Sequence, residues 1–106
     1  MTKRRYAKRK SRPVVEAAQR ADKHAFQVKN LIEEARSLRD EGKENKATKL
    51  ERIAEEEAWA AREAAFEAEE LSQGCLENIN AAWCVADAWC AASYAWEALY
   101  TGQTEV

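Results

Sequence analysis

The chain has 106 residues, with 17 basic and 19 acidic side chains, one histidine and three cysteines. Glycine and proline contribute only four residues, which excludes a disordered or loop-rich protein. Alanine contributes 22 residues, so the 46% hydrophobic fraction overstates the bulk available for a core. The length fits one small domain, and the composition predicts an all-α fold.

The chain begins with a basic arm, residues 1–12, which contains seven Lys or Arg and no acid. Beyond Arg62 the pattern reverses, because that part of the chain has eight acids and no Lys or Arg. A cluster of cations can neutralise several phosphates, so a nucleic acid is one candidate partner of the arm. The candidate polyanion-binding residues are Lys3, Arg4, Arg5, Lys8, Arg9, Lys10 and Arg12.

The three glycines divide the rest of the chain, because Gly42, Gly74 and Gly102 each follow a long run of good helix formers. Glycine is the usual residue at a left-handed helix C-terminus, and Pro13 suits a helix start. Short connections between helices make neighbours antiparallel. We therefore predict a bundle of three long antiparallel helices at about 13–41, 43–73 and 75–101, with a C-terminal tail at 102–106.

Gly74 leaves one alternative open. A glycine within a helix costs roughly 1 kcal/mol relative to alanine, so helices 2 and 3 can instead form one long rod. Such a rod buries nothing against itself and would favour self-association further.

Helices 1 and 2 each carry one polar residue inside an apolar seam, meaning the row of apolar residues that faces a neighbouring helix. His24 interrupts the three-and-four spacing that runs from Val14 to Leu38, and Glu57 interrupts the alanine-rich arc of helix 2. A hairpin folding near residue 42 brings position 24 within one turn of Glu57. We expect a buried polar pair that determines helix register, with an acid–base couple or a pH sensor as the alternative.

Helix 3 is apolar around almost its whole circumference. It has two adjacent seams, one for each neighbouring helix, yet Leu76, Trp83, Cys90 and Tyr94 lie outside both. Two partner helices cannot cover such a helix, since this pattern is typical of a helix buried on all sides. We therefore expect self-association through helix 3.

Helix 2 adds two aromatic residues to this outward surface. A hairpin near residue 74 sets Trp59 level with Cys90 and Phe66 level with Trp83, and it lets Arg62 pair with Asp87. Aromatic residues and arginine dominate binding hot spots, and exposed apolar patches mark partners. The alternatives are rings that fill grooves between alanines, or a small-ligand pocket. The predicted interface comprises Trp59, Arg62, Phe66, Leu76, Trp83, Asp87, Cys90 and Tyr94.

The cysteines indicate the compartment. Cys75, Cys84 and Cys90 match neither a disulfide framework nor a zinc-site spacing, so a reducing cytoplasm is the expectation. No apolar run follows the basic start, which argues against a secretory signal. Polar and charged side chains interrupt the apolar stretch 79–100, which argues against a membrane span.

Motifs for catalysis are absent, because the sequence contains no phosphate-binding loop, nucleophile elbow or zinc-protease pattern. We predict no catalytic residue, no cofactor and no metal. Residues 58–71, AWAAREAAFEAEEL, resemble in composition the small alanine-rich helical proteins that phages and mobile elements encode as inhibitors or immunity factors. That resemblance is confined to this segment and implies no site residue.

The sequence thus favours a cytoplasmic, non-catalytic, homo-oligomeric helical module that binds protein through an aromatic face of helices 2 and 3. A nucleic-acid-binding protein that uses the basic arm is the alternative, and an inhibitor that blocks a partner's site is the second alternative. The arm can also dock on acidic side chains of its own chain or of a neighbour, namely Glu63, Glu67, Glu69 and Glu70.

Overall fold

The computed structural model describes the backbone of residues 2–73 and 79–102 and the side chains of residues 12–73 and 80–102. This part of the chain forms three α-helices, α1 (Thr2–Asp40), α2 (Glu44–Ser72) and α3 (Ile79–Thr101), and contains no strand. All three helices pack against one another in a bundle about 62 Å long. The predicted all-α, three-helix fold is confirmed.

The start of α1 differs from the prediction. The helix begins at Thr2, and Pro13 lies inside it. An internal proline removes one backbone hydrogen bond, at a cost of about 3 kcal/mol, but Lys, Arg and Ala dominate the preceding residues and are strong helix formers. Residues 2–12 therefore extend α1 by about 16 Å beyond Pro13. The side chains of Lys3, Arg4, Arg5, Lys8, Arg9 and Lys10 lie outside the described part of the structure.

A glycine cap ends α1 as predicted. Gly42 has a φ of 81°, and its N–H donates to the Arg39 carbonyl at 2.9 Å while the Lys43 N–H donates to the Leu38 carbonyl at 2.8 Å. This is the Schellman pattern of a helix C-terminus. The turn directs α2 back along α1 in the antiparallel direction.

The connection between α2 and α3 consists of the residues between Ser72 and Ile79. Because α3 packs back against α2, the two are separate helices and the fused-rod alternative is wrong. The predicted start of helix 3 at Cys75, the cap residue Gly74 and the candidate interface residue Leu76 all lie outside the described residues. None of the described helices has the length and apolar character needed to span a membrane.

Alanine forms most of the core. Of the twenty buried hydrophobic side chains in the described part of the chain, seventeen are alanine. Val14 and Val28 are the largest side chains that are fully buried. Small side chains let helix axes approach closely, and the space between them holds no large ring.

The alanine core predicts a strong sensitivity to added volume. Ala58 is fully buried on α2, and Ala58→Leu should lower the free energy of unfolding by about 1–3 kcal/mol through overpacking. Glu56→Leu, at an exposed position on the same helix, should change stability by less than about 0.5 kcal/mol. Urea denaturation followed by circular dichroism measures both variants, and equal stabilities would contradict close packing at Ala58.

Candidate functional site

Aromatic side chains line the outer edge between α2 and α3. Trp59 of α2 packs edge-on against Trp96 of α3, with ring centroids 5.0 Å apart. Phe66 packs in the same way against Trp89 at 4.8 Å. Trp96 also stacks on Tyr100 at 5.7 Å. These ring contacts join α2 to α3 at the outer edge of the bundle, where Trp89 and Trp96 also pack against the alanine core.

The register of α2 against α3 differs from the prediction. Phe66 faces Trp89 instead of Trp83, and Trp59 is displaced by the same six residues along α3. The prediction placed a turn at one glycine, whereas the connection takes residues 73–78. Relative to the prediction, α3 is displaced along α2 by six residues, about 9 Å or nearly two helical turns.

Arg62 lies among the rings of α2 instead of forming the predicted ion pair. Its guanidinium carbon is 5.5 Å from the Trp59 centroid and 5.6 Å from the Phe66 centroid, within the range of cation–π attraction. Asp87 instead lies near Asp22 of α1, whose pKa it helps to raise. The register shift separates Arg62 from Asp87, so that prediction was wrong.

A shallow groove of about 400 Å³ opens between the two helices at these rings. Small and aromatic side chains of α3 line it together with two side chains of α2. Trp96 contributes an indole N–H that is buried without an acceptor among the described residues. We name this surface the aromatic groove, and it is lined by Trp59, Arg62, Trp89, Ala92, Ser93, Trp96 and Tyr100.

Sequence analysis missed the three aromatic residues that α3 contributes to the aromatic groove. It placed Trp89, Trp96 and Tyr100 in a packing seam of helix 3, where a neighbouring helix would cover them. The structure leaves Trp89 and Trp96 half-buried and Tyr100 78% exposed. The available signal was their size, because a seam of alanines has no room for three rings.

The other predicted interface residues of α3 separate into two groups. Trp83 is 70% exposed and Cys90 is an exposed free thiol, so both lie on the outer surface. Tyr94 is partly buried and packs against the core instead, which corrects its predicted outward position. The second described cysteine, Cys84, is half-buried beside the same core.

His24 and Glu57 meet across α1 and α2, as their positions in the two seams predict. The His24 Nδ1 atom lies 2.5 Å from the Glu57 Oε2 atom. With its amide oriented to donate, Gln27 places its side-chain nitrogen 2.7 and 3.0 Å from the two Glu57 oxygens. The His24 and Glu57 side chains are half-buried, 29% and 25% exposed. The carboxylate is therefore satisfied by two neighbours from α1 and joins the helices at one register.

A further ion pair joins α1 to one of the acidic side chains near the end of α2. Arg20 lies 2.7 Å from Glu67, so one of the glutamates proposed to receive the basic arm already has a partner. Arg12 is the arm residue whose side chain the structure describes. It is 82% exposed and lies 3.5 Å from Glu16 on its own helix.

Comparison with known proteins identifies no relative: no family model, curated protein or solved structure matches the chain. Within the described ranges, no three His, Cys, Asp or Glu side chains are grouped so as to hold a metal ion. The functional conclusion therefore depends on the geometry of the chain's own side chains.

The Asp22–Asp87 pair adds a pH-dependent contact between α1 and α3. Burial, together with the hydrogen bond and charge of Asp87, raises the pKa of Asp22 from 3.8 to about 6. The folded chain thus binds this proton more tightly than the unfolded chain does. Stability should therefore fall as the pH rises from about 4 to about 6 and Asp22 ionises.

Replacing Asp22 tests this contact. Asp22→Asn retains a hydrogen-bond donor without the charge, so at pH 7 we expect the variant to be more stable than the natural chain, because it removes the repulsion between the two carboxylates. At pH 4 the two should be alike. Urea midpoints between pH 4 and 7 measure the difference, with Glu33→Gln at an exposed position of α1 as the charge-matched control. Parallel pH profiles for the natural chain and Asp22→Asn would rule the contact out.

Proposed function

We propose that this chain is a non-catalytic, self-associating helical module that binds protein through the aromatic groove and the rings beside it. One observation carries the proposal: Trp59, Phe66 and Tyr100 remain 46–78% exposed although each already contacts another ring. Exposed rings grouped at one edge of a small domain are typical of a binding surface.

The composition of the aromatic groove supports a protein partner. Trp, Tyr and Arg are the residues most enriched in interface hot spots, and all three types line this groove. Arg62 has no carboxylate partner among the described side chains and is held over two rings. A guanidinium held in this way can stack on a partner's ring or donate hydrogen bonds to its carboxylate without first losing an internal ion pair.

The two alternative interpretations of the rings explain less of the geometry. Trp89 and Trp96 do fill space between the helices, as rings lying in alanine grooves would. Tyr100, however, is 78% exposed, so its own chain covers little of this side chain. A small-ligand pocket usually encloses most of its ligand, whereas this groove is shallow and open along the bundle. An extended protein surface fits it better.

Truncating two exposed rings tests the role of the groove. We expect the Trp59→Ala/Tyr100→Ala variant to sediment as a monomer at micromolar concentration. The two substitutions remove two rings that line the groove but no fully buried side chain. Phe26→Ala is the matched control, since Phe26 is a 61% exposed aromatic residue of α1 outside the groove. Helicity measured by circular dichroism should be retained in both variants.

Sedimentation of the natural chain decides between the candidate partners. If the natural chain is itself a monomer at this concentration, self-association is wrong, and the rings are left for a foreign protein, as in an inhibitor. If the double variant associates like the natural chain, the aromatic groove is not the binding surface.

The basic part of α1 supports the alternative function of nucleic-acid binding. Residues 1–12 contain seven basic side chains, and the helix carries this segment beyond Pro13. The other 94 residues hold ten basic and all 19 acidic side chains, a formal charge of −9. A polyanion that extends beyond the arm is therefore repelled by the negative charge of the other 94 residues. This repulsion disfavours nucleic-acid binding.

Deleting residues 2–12 separates the two functions. We expect the truncated chain to keep its sedimentation coefficient, after correction for its smaller mass, because the aromatic groove remains intact. Binding to a fluorescent single-stranded oligonucleotide in 100 mM salt is measured in parallel. Tight binding by the natural chain that is lost on deletion would favour the nucleic-acid function instead.

A further inference from the structure

We propose that the aromatic groove receives Trp83 from a second copy of this chain, in an antiparallel pair whose two-fold axis passes beside Cys90. The inference rests on the proposed self-association and names its geometry. Each copy then contributes one projecting ring and one groove, so that the same surface is used twice.

The projecting ring and the groove lie on either side of the middle of α3. The helix runs from Ile79 to Thr101, so Cys90 is its central residue. Trp83 is 70% exposed in the N-terminal half. The α3 residues that line the groove, from Trp89 to Tyr100, extend through the C-terminal half. The two features are therefore displaced in opposite directions from Cys90.

An antiparallel pair of α3 helices centred on Cys90 brings these features together. Position 83 of one copy then lies level with position 97 of the other, about 10 Å along the helix from the axis. Position 97 lies between Trp96 and Tyr100, the end of the groove with the most exposed ring. By symmetry the second Trp83 reaches the first groove.

The outer surface of α3 between these positions permits close contact. Ala86, Cys90 and Ser93 are exposed, and all three are small. Two helices that face each other through such residues can approach closely. Trp83 is 70% exposed three residues before Ala86, so its ring is available to the facing copy.

The exposed area is sufficient for a dimer. Trp59, Phe66, Trp83 and Tyr100 are 47%, 46%, 70% and 78% exposed. With about 200 Å² for each aromatic side chain, these rings offer roughly 500 Å² per copy and roughly 1,000 Å² per pair. The small residues between them add to this area. The total is close to the minimum expected of a biological interface, about 1,000 Å², and corresponds to a weak dimer.

The charge on this face predicts a characteristic salt dependence. Glu63 and Glu97 are exposed beside the rings, and Arg62 is the one cation that lines the groove. Two copies packed face to face bring like charges near each other, so salt should strengthen their association. A contact between the basic arm of one copy and the acidic residues of another would weaken with salt instead.

Disulfide capture tests the position of the axis. In a Cys75→Ser/Cys84→Ser chain, Cys90 is the remaining thiol, and oxidation by copper–phenanthroline should link two copies within minutes. The matched control is a Cys75→Ser/Cys90→Ser chain, which keeps the half-buried Cys84 and should stay unlinked. A non-reducing gel reads both results. Sedimentation before oxidation establishes that both chains associate like the natural one.

Substituting the projecting ring tests its role. Trp83→Glu should weaken the dimer at least tenfold, because it removes the ring and places a carboxylate near Glu97 of the second copy. Helicity should stay intact at so exposed a position. Phe26→Glu, at a position 61% exposed on α1, is the matched control and should leave the dimer unchanged. Sedimentation velocity in 50 and 500 mM NaCl measures both variants and the salt dependence.

The outcomes separate this geometry from the proposed function. An association that survives Trp83→Glu, or that shows no link at Cys90, overturns the geometry and leaves self-association through the aromatic groove in place. An association that weakens with salt and disappears on deleting residues 2–12 assigns the contact to the basic arm. A natural chain that remains monomeric overturns both proposals.

Discussion

Close packing of three helices through alanine is the constraint on which the rest of this structure depends. Alanine loses no side-chain entropy in a helix and favours helix formation, but it contributes little buried area per residue. Among the side chains that the structure describes, Val14 and Val28 are therefore the largest in the fully buried interior. Tryptophan, phenylalanine and tyrosine cannot enter a space of this width, and they are displaced to the edges of the bundle.

The three edges between helices acquire different chemistry as a result. Polar side chains join α1 to α2, where Glu57 accepts hydrogen bonds from His24 and Gln27. Aromatic rings join α2 to α3, and a pair of carboxyl groups lies between α1 and α3. Polar contacts with partly exposed groups stabilise modestly but require one geometry. The first edge thus determines register, while the second leaves apolar surface exposed.

The functional proposal follows from this division. A ring that is half-covered by its own chain is already held in place, so a partner that covers the rest loses little conformational entropy on binding. Arg62, held over two rings, adds a fixed charge to the same surface. The basic residues at the start of α1 lie far along the bundle from the groove, so the chain has two separate surfaces of different chemistry.

The sequence by itself determined the class of fold, the cap at Gly42 and the meeting of His24 with Glu57, because helix periodicity and a short turn define which faces oppose each other. The sequence predicted that α1 starts at Pro13. It does not show whether a run of strong helix formers outweighs the backbone hydrogen bond that an internal proline removes. Only the tertiary structure decided which aromatic residues form the groove. Periodicity specifies the angle of a side chain around its helix, but the level of α3 along α2 depends on the length of the connection. The observed level separates Asp87 from Arg62 and brings Trp89, Trp96 and Tyr100 into the site.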